Sequence, residues 1–137
     1  MGRFTDQVNA FIRKAEDRQE AIVKTSIQET VAHAQVPMGA GGKMRIDTGF
    51  LRSSLAASIG SMPIGETKGD PSGTYNYDGT AVALTIFGLN MGETFYAGWT
   101  ANYARPREAT DGFMRSAAMQ WGTIVTQATI EAKARIP

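Results

Sequence analysis

Side-chain catalysis needs a base, a nucleophile or a bound metal within reach of one another, and this sequence is poor in all three. Among 137 residues there is one histidine, His33, and no cysteine. Thiol catalysis, disulfide scaffolds and thiolate zinc sites therefore fall away, and a single imidazole leaves a zinc or facial-triad iron site short of ligands. A hydrolytic triad would have to recruit His33, yet no Gly-x-Ser-x-Gly elbow accompanies it. His33 sits near the end of a long helical pattern, where an imidazolium favours the negative end of the dipole, and it reads as a surface or capping residue. The carboxylates Asp47, Glu66, Asp70, Asp78, Glu93, Glu108 and Asp111 are scattered, and no spacing selects an acid–base pair. Gly42-Lys43 resembles the end of a phosphate loop, but Met44 stands where Ser or Thr would hold magnesium and Pro37 where the first glycine would be. The expectation is a protein that is not an enzyme, with no cofactor and no metal.

Binding chemistry has more material. Arg105, Arg107 and Arg115 lie near Trp99 and Tyr103, which superficially suggests a basic and aromatic nucleic-acid surface. Glu108 and Asp111 interleave with these arginines, however, and the whole chain carries 14 basic against 13 acidic residues. A phosphate-gripping protein usually shows a basic excess, so the mixed patch favours intersubunit salt bridges. No run approaches the roughly 18 apolar residues of a membrane span, and Met1–Asp6 has no signal-peptide character. A protein synthesised in a cytoplasm, without a membrane partner, is expected.

The elements that must position these residues form one domain, 1–137. From Phe4 to about Gln35 there is no Gly or Pro, and apolar residues recur at Phe4, Val8, Phe11, Ile12, Ala15, Ile22, Val23, Ile27 and Val31, close to helical period. Thr5 or Asp6 is the expected cap, and Val36-Pro37 the expected end. Such a helix is about 48 Å long, against a radius of gyration of about 14 Å for a compact chain of this size. It should overhang its own globule, bending or packing on another subunit. Residues 37 to 46 read as a flexible glycine-rich connector. Residues 54 to 61 read as a half-buried strand with Leu55, Ala57 and Ile59 on one face. Met62 to Gly79 reads as a long loop, and Thr80–Gly88 and Thr94–Tyr103 as two strands of a hairpin. Phe87 and Tyr96 fall opposite the core face of that hairpin. A last helix from about Thr110-Asp111 to Arg135 carries the stripe Met114, Ala117, Ala118, Trp121, Ile124, Val125 and Ala128. The fold class is α+β: a long N-terminal helix and a C-terminal helix packed on a small antiparallel sheet, with a long inserted loop.

The segment Ile46-Asp47-Thr48-Gly49-Phe50-Leu51-Arg52-Ser53-Ser54-Leu55 reads locally as a tight corner. Asp47 or Thr48 can accept backbone N–H bonds, Gly49 relaxes the backbone, Leu51 points inward and Arg52 outward. This segment also resembles a hallmark of small tailed-bacteriophage proteins, the HK97 gp10-like family, in which a hydrophobe, Asp-Thr-Gly, any residue, Leu-Arg and Ser precede a strand. Two further segments resemble that family in the same order. They are Tyr103-Ala104 with Glu108 downstream, and Gly112-Phe113-Met114-Arg115-Ser116-Ala117 at the opening of the C-terminal helix.

The resemblance implies a virion structural protein at the phage neck or head-proximal end of the tail, a tail-completion or tail-terminator subunit made in the bacterial host. It would form a homo-oligomeric ring, a hexamer by expectation, between the tail tube protein and the head connector or stopper, with DNA only passing through the lumen. Asp47, Thr48, Gly49, Leu51, Arg52, Tyr103, Glu108, Phe113 and Arg115 are the expected interface or structural residues, with Arg52 paired to Glu108 or to a neighbouring subunit. Loop 63–79 is expected to order on a partner, with Tyr75 and Tyr77 as its anchors. A head-side stopper subunit and a DNA-binding accessory protein are the alternatives.

Overall fold

The computed structural model describes residues 2–137. Helix α1 runs unbroken from Arg3 to Ala34, and the chain leaves it through Gln35 and Val36 to Pro37. Gly2 occupies the N-cap position without a side-chain cap bond, so Thr5 and Asp6 fall inside the first turn and do not precede it. Residues 37–46 are less free than their glycines suggest. A single 3₁₀ turn spans Met38–Ala40, Met38 N–H donates to Met44 O at 2.9 Å, and the Met44 side chain is fully buried. The expected flexible connector is thus a pinned loop, because it delivers a core residue.

Four residues, Phe50–Ser53, form the short helix α2, and strand β1 follows at Leu55–Ile59. Residues 60–79 contain no helix or strand, as expected of the long loop. The next segment departs from expectation: Thr80–Phe87 is a helix, α3, not a strand. Val82 and Ile86, four apart, are its buried residues, while Leu84, 66% exposed, and Phe87 face solvent. In this short, almost wholly apolar run, alternation and helical spacing are both satisfied by Val82 and Ile86. The carboxylate of Asp78 decides for the helix by accepting bonds from the Thr80 N–H and hydroxyl at 3.0 and 2.6 Å. Lys24 of α1 closes the other end, its Nζ donating to Phe87 O at 2.6 Å.

Strand β2, Phe95–Trp99, pairs antiparallel with β1, Leu55 opposite Trp99 and Ile59 opposite Phe95. The sheet has these two strands only, among the described residues, and the expected 80–103 hairpin is absent. Helices account for 57% of the chain, so they, not the sheet, supply most of the buried framework. The C-terminal helical region begins earlier than expected and comes in three pieces: α4, Ala104–Asp111; α5, Phe113–Met119; and α6, Trp121–Arg135. Gly112, at φ 67°, makes the first break, a left-handed turn that a side chain would resist.

Among the described residues, two apolar clusters fill the interior. Leu55, Val82 and Ile86 pack with Ile27 and Val31 of α1 and with Phe95 and Ala97 on the same face of the sheet. Met44, Leu51, Ala101 and Phe113 form the second. Trp99 belongs to both, stacks edge-on against Phe113 at 4.8 Å and donates its Nε1–H to Gln35 Oε1 at 2.8 Å. Helix α1 packs along α5 and α6, yet the apolar side chains of Phe4, Val8, Phe11 and Ile12 near its start stay exposed. Among the described residues, no helix is long and apolar enough to cross a membrane.

Candidate functional site

The Asp-Thr-Gly segment folds as the corner its residue types imply. Thr48 Oγ1 accepts the Phe50 N–H at 3.3 Å, and Gly49, at φ 86°, turns the chain into α2. A Cβ on Gly49 would lie 2.2 Å from Tyr75 O, so glycine is needed for both conformation and space. Asp47 remains exposed. Leu51 points inward and is 2% exposed, while Phe50 turns sideways to form the floor of an open pocket of about 430 Å³.

The long loop builds the far wall of that pocket. Tyr75 N–H donates to Thr48 O at 2.8 Å, and its ring meets Phe50 edge-on at 4.9 Å. Its hydroxyl accepts the Asp70 N–H at 2.9 Å. Gly69 lies so close over the Phe50 ring that a Cβ would stand 2.7 Å from it. Further back, Thr67 bonds to Thr100 O and to the Asn102 N–H, each at 2.7 Å. Tyr77 packs against the Leu55 cluster. Both tyrosines expected as partner anchors are therefore turned inward as anchors of the loop itself. The reason is that Phe50 and the Arg52 guanidinium, which stands 5.2 Å from the Tyr77 ring, offer them apolar and cationic faces within the subunit. Burial raises the Tyr77 hydroxyl pKa above its ordinary value, opposed in part by Gln35 and Arg52.

Arg52 does not meet Glu108. Its Nε donates to Gln35 O, and Gln35 Nε2 returns a bond to Arg52 O, both at 2.8 Å. Gln35, 3% exposed, thereby joins the end of α1, the corner and Trp99. Glu108 reaches across Gly112 instead, accepting the backbone N–H groups of Met114 at 2.7 Å and Arg115 at 2.9 Å. It, and neither Thr110 nor Asp111, caps the start of α5, because α4 places its carboxylate over that exposed helix end.

Asp111 has a different role. Its side chain is 2% exposed and faces Arg45 at 3.8 Å and Arg107 at 3.7 Å. These distances are too long for hydrogen bonds, and Oδ2 accepts none from the described residues. Arg45, Arg107 and Lys68 meet Asp47, Asp70 and the aromatic rings of Phe50 and Tyr103 around the pocket. Tyr103 stands 6.3 Å from Phe50. Phe113 is buried below, and the Arg115 side chain lies in the open beside Gly112. The corner thus brings together Thr48, Gly49, Leu51, Tyr75 and Tyr103, and leaves Arg52 and Glu108 in separate structural roles. Sequence reasoning missed Phe50, Gln35, Met44 and the Arg45–Asp111–Arg107 cluster. Only the mixed signs of the 105–111 stretch hinted at the last.

Balanced charge around an aromatic floor suits recognition of another surface. His33 is exposed in the last turn of α1. Among the described residues, no three His, Asp or Glu side chains gather to hold a metal ion. No protein-family model, no characterised protein and no solved structure matches this chain.

Proposed function

We propose that this chain is a structural subunit of a tailed-phage virion, one copy of a homo-oligomeric ring at the head–tail junction, where it completes or terminates the tail. The observation that carries the assembly part is the amount of large apolar side chain left in water. Phe4 is 78% exposed, Phe11 70%, Phe87 79% and Ile64 93%. Scattered apolar exposure is ordinary, but a row of aromatic and aliphatic residues along one helix marks an interaction surface. The virion part rests on the resemblance of Ile46–Leu55, Tyr103–Glu108 and Gly112–Ala117 to the HK97 gp10-like family. In this reading the partners are neighbouring copies, the tail tube protein and the head connector or stopper, and DNA only passes through the lumen. The pocket around Phe50 and Tyr103, with its alternating charges, and the outward-facing Ile64 are the surfaces available to the unlike partners.

Electron microscopy of intact particles containing a tagged copy of the chain tests this. The expected result is a ring of the tag at the head–tail junction, absent from particles lacking the gene. A chain missing from purified virions, or retained on DNA in a salt-dependent way while failing to assemble, would overturn it.

A further inference from the structure

The exposed stripe Phe4, Val8, Phe11, Ile12 has the i, i+4, i+7, i+8 spacing of a helix that lays its apolar side into a groove. The same subunit carries such a groove. It is an open, largely apolar trough of about 500 Å³ between α1, β2 and α5–α6, walled by Ile27, Val31, Phe95, Met114 and Trp121. Its floor is Ala34, Leu89 and Ala117, all buried.

The stripe cannot fill the trough of its own subunit. Both lie on the single unbroken helix Arg3–Ala34, and Phe11 is held about 24 Å along the axis from Ile27. We infer that the stripe of one copy docks in the trough of the next, a head-to-tail contact that deepens the ring reading above by naming its interface. Charge agrees with this occupant. Residues 3–14 carry Arg3, Arg13 and Lys14 against Asp6, and among the described residues that line the trough the one charged side chain is Glu93. Area agrees as well. Two largely exposed phenylalanines with Val8 and Ile12 present on the order of 400 Å², below the roughly 800 Å² per partner of a stable pair. A single contact is therefore weak. A closed ring, in which every copy gives one stripe and receives another, doubles the area that each copy buries.

The cysteine-free sequence permits a clean test in the full chain. Phe11→Cys and Thr94→Cys, both at exposed positions, are purified separately, mixed under mild oxidation and resolved without reductant. The expected product is a disulfide-linked heterodimer of the two variants, at least ten times more abundant than the Phe11→Cys pair or a Phe11→Cys/Thr126→Cys control. Non-covalent complementation gives a second readout. Phe11→Glu and Ala118→Arg, also at exposed sites, should each lose self-association with unchanged circular dichroism, and should together form, at high protein concentration, a weak dimer that grows no further, since only one contact holds it. Predominant Phe11→Cys self-linking would mean stripe-to-stripe pairing and overturn the inference. So would no cross-link at millimolar protein, or, in particles, linkage of Thr94→Cys to an unlike virion protein. Rings at the head–tail junction without the 11–94 link would overturn the docking alone. The link in purified protein, with the chain absent from particles, would overturn the neck reading alone.

Discussion

Gly49 combines two constraints that are usually separate. Its φ of 86° lies where L side chains are strained, and the Tyr75 carbonyl occupies the place of a Cβ at 2.2 Å. Gly49→Ala should therefore lose about 3 kcal/mol or more of unfolding free energy, from backbone strain together with displacement of the loop. Denaturant titration of the purified subunit checks it. Glu108 is the complementary case, a surface carboxylate whose value lies in two backbone N–H groups. Glu108→Ala should cost about 1 to 2 kcal/mol, and Glu108→Gln, which keeps one acceptor oxygen, should cost less. The Asp-Thr-Gly corner was legible in the sequence because its bonds close within a few residues. The partners of Arg52 and Glu108 were not. Gln35 is 17 residues from Arg52, and Glu108 reaches Met114 and Arg115 only because the left-handed turn at Gly112 splits the helical pattern into α4 and α5.

At the scale of elements, α1 was readable almost to its ends, since 32 residues without Gly or Pro repeat the helical period many times. An eight-residue apolar run such as α3 repeats it barely twice, and the neighbouring loop had to arbitrate. Leu84 separates the two readings. A strand carrying Val82, Leu84 and Ile86 on one face would bury it, whereas α3 leaves it 66% exposed. Leu84→Lys should change stability by less than about 0.5 kcal/mol, and Ile86→Ala should cost about 2 to 4 kcal/mol; thermal melts of the two variants decide. The Asp78 bonds to Thr80 at the start of α3 add a pH dependence. Hydrogen bonds from Thr80 hold the Asp78 pKa below its ordinary value of 3.8. A carboxyl whose pKa is depressed by folding contributes its stabilisation above the unfolded value and loses it as pH falls through the folded one. The stability gap between wild type and Asp78→Ala should thus be full near neutral pH and should close as acid titration passes below pH 3.8. A gap that widens in acid would contradict a stabilising role for these bonds.

At the scale of the whole molecule, the segment that looked most like an appendage holds two parts of the core together. Residues 66–78 supply the Thr67 bonds to the end of β2, the Tyr75 bond to Thr48, the edge-on cover of Phe50 and the packing of Tyr77 on the Leu55 cluster. Replacing 66–78 with a short glycine bridge should therefore lower the melting temperature of the free subunit, on the order of 10 °C. A melting temperature unchanged within a few degrees would show that the loop is decoration. A fall has a second consequence for the proposed role at the head–tail junction: loss of joining by the deletion could not be assigned to a partner contact. Ile64 makes the separation possible, since it lies outside the deleted stretch and is 93% exposed. Ile64→Ser should leave the melting temperature where it is. If particles made with Ile64→Ser still join heads to tails at normal yield, the loop serves its own subunit and the partner surface lies elsewhere. Reduced joining with an unchanged melting temperature would place that surface on the loop's outer edge.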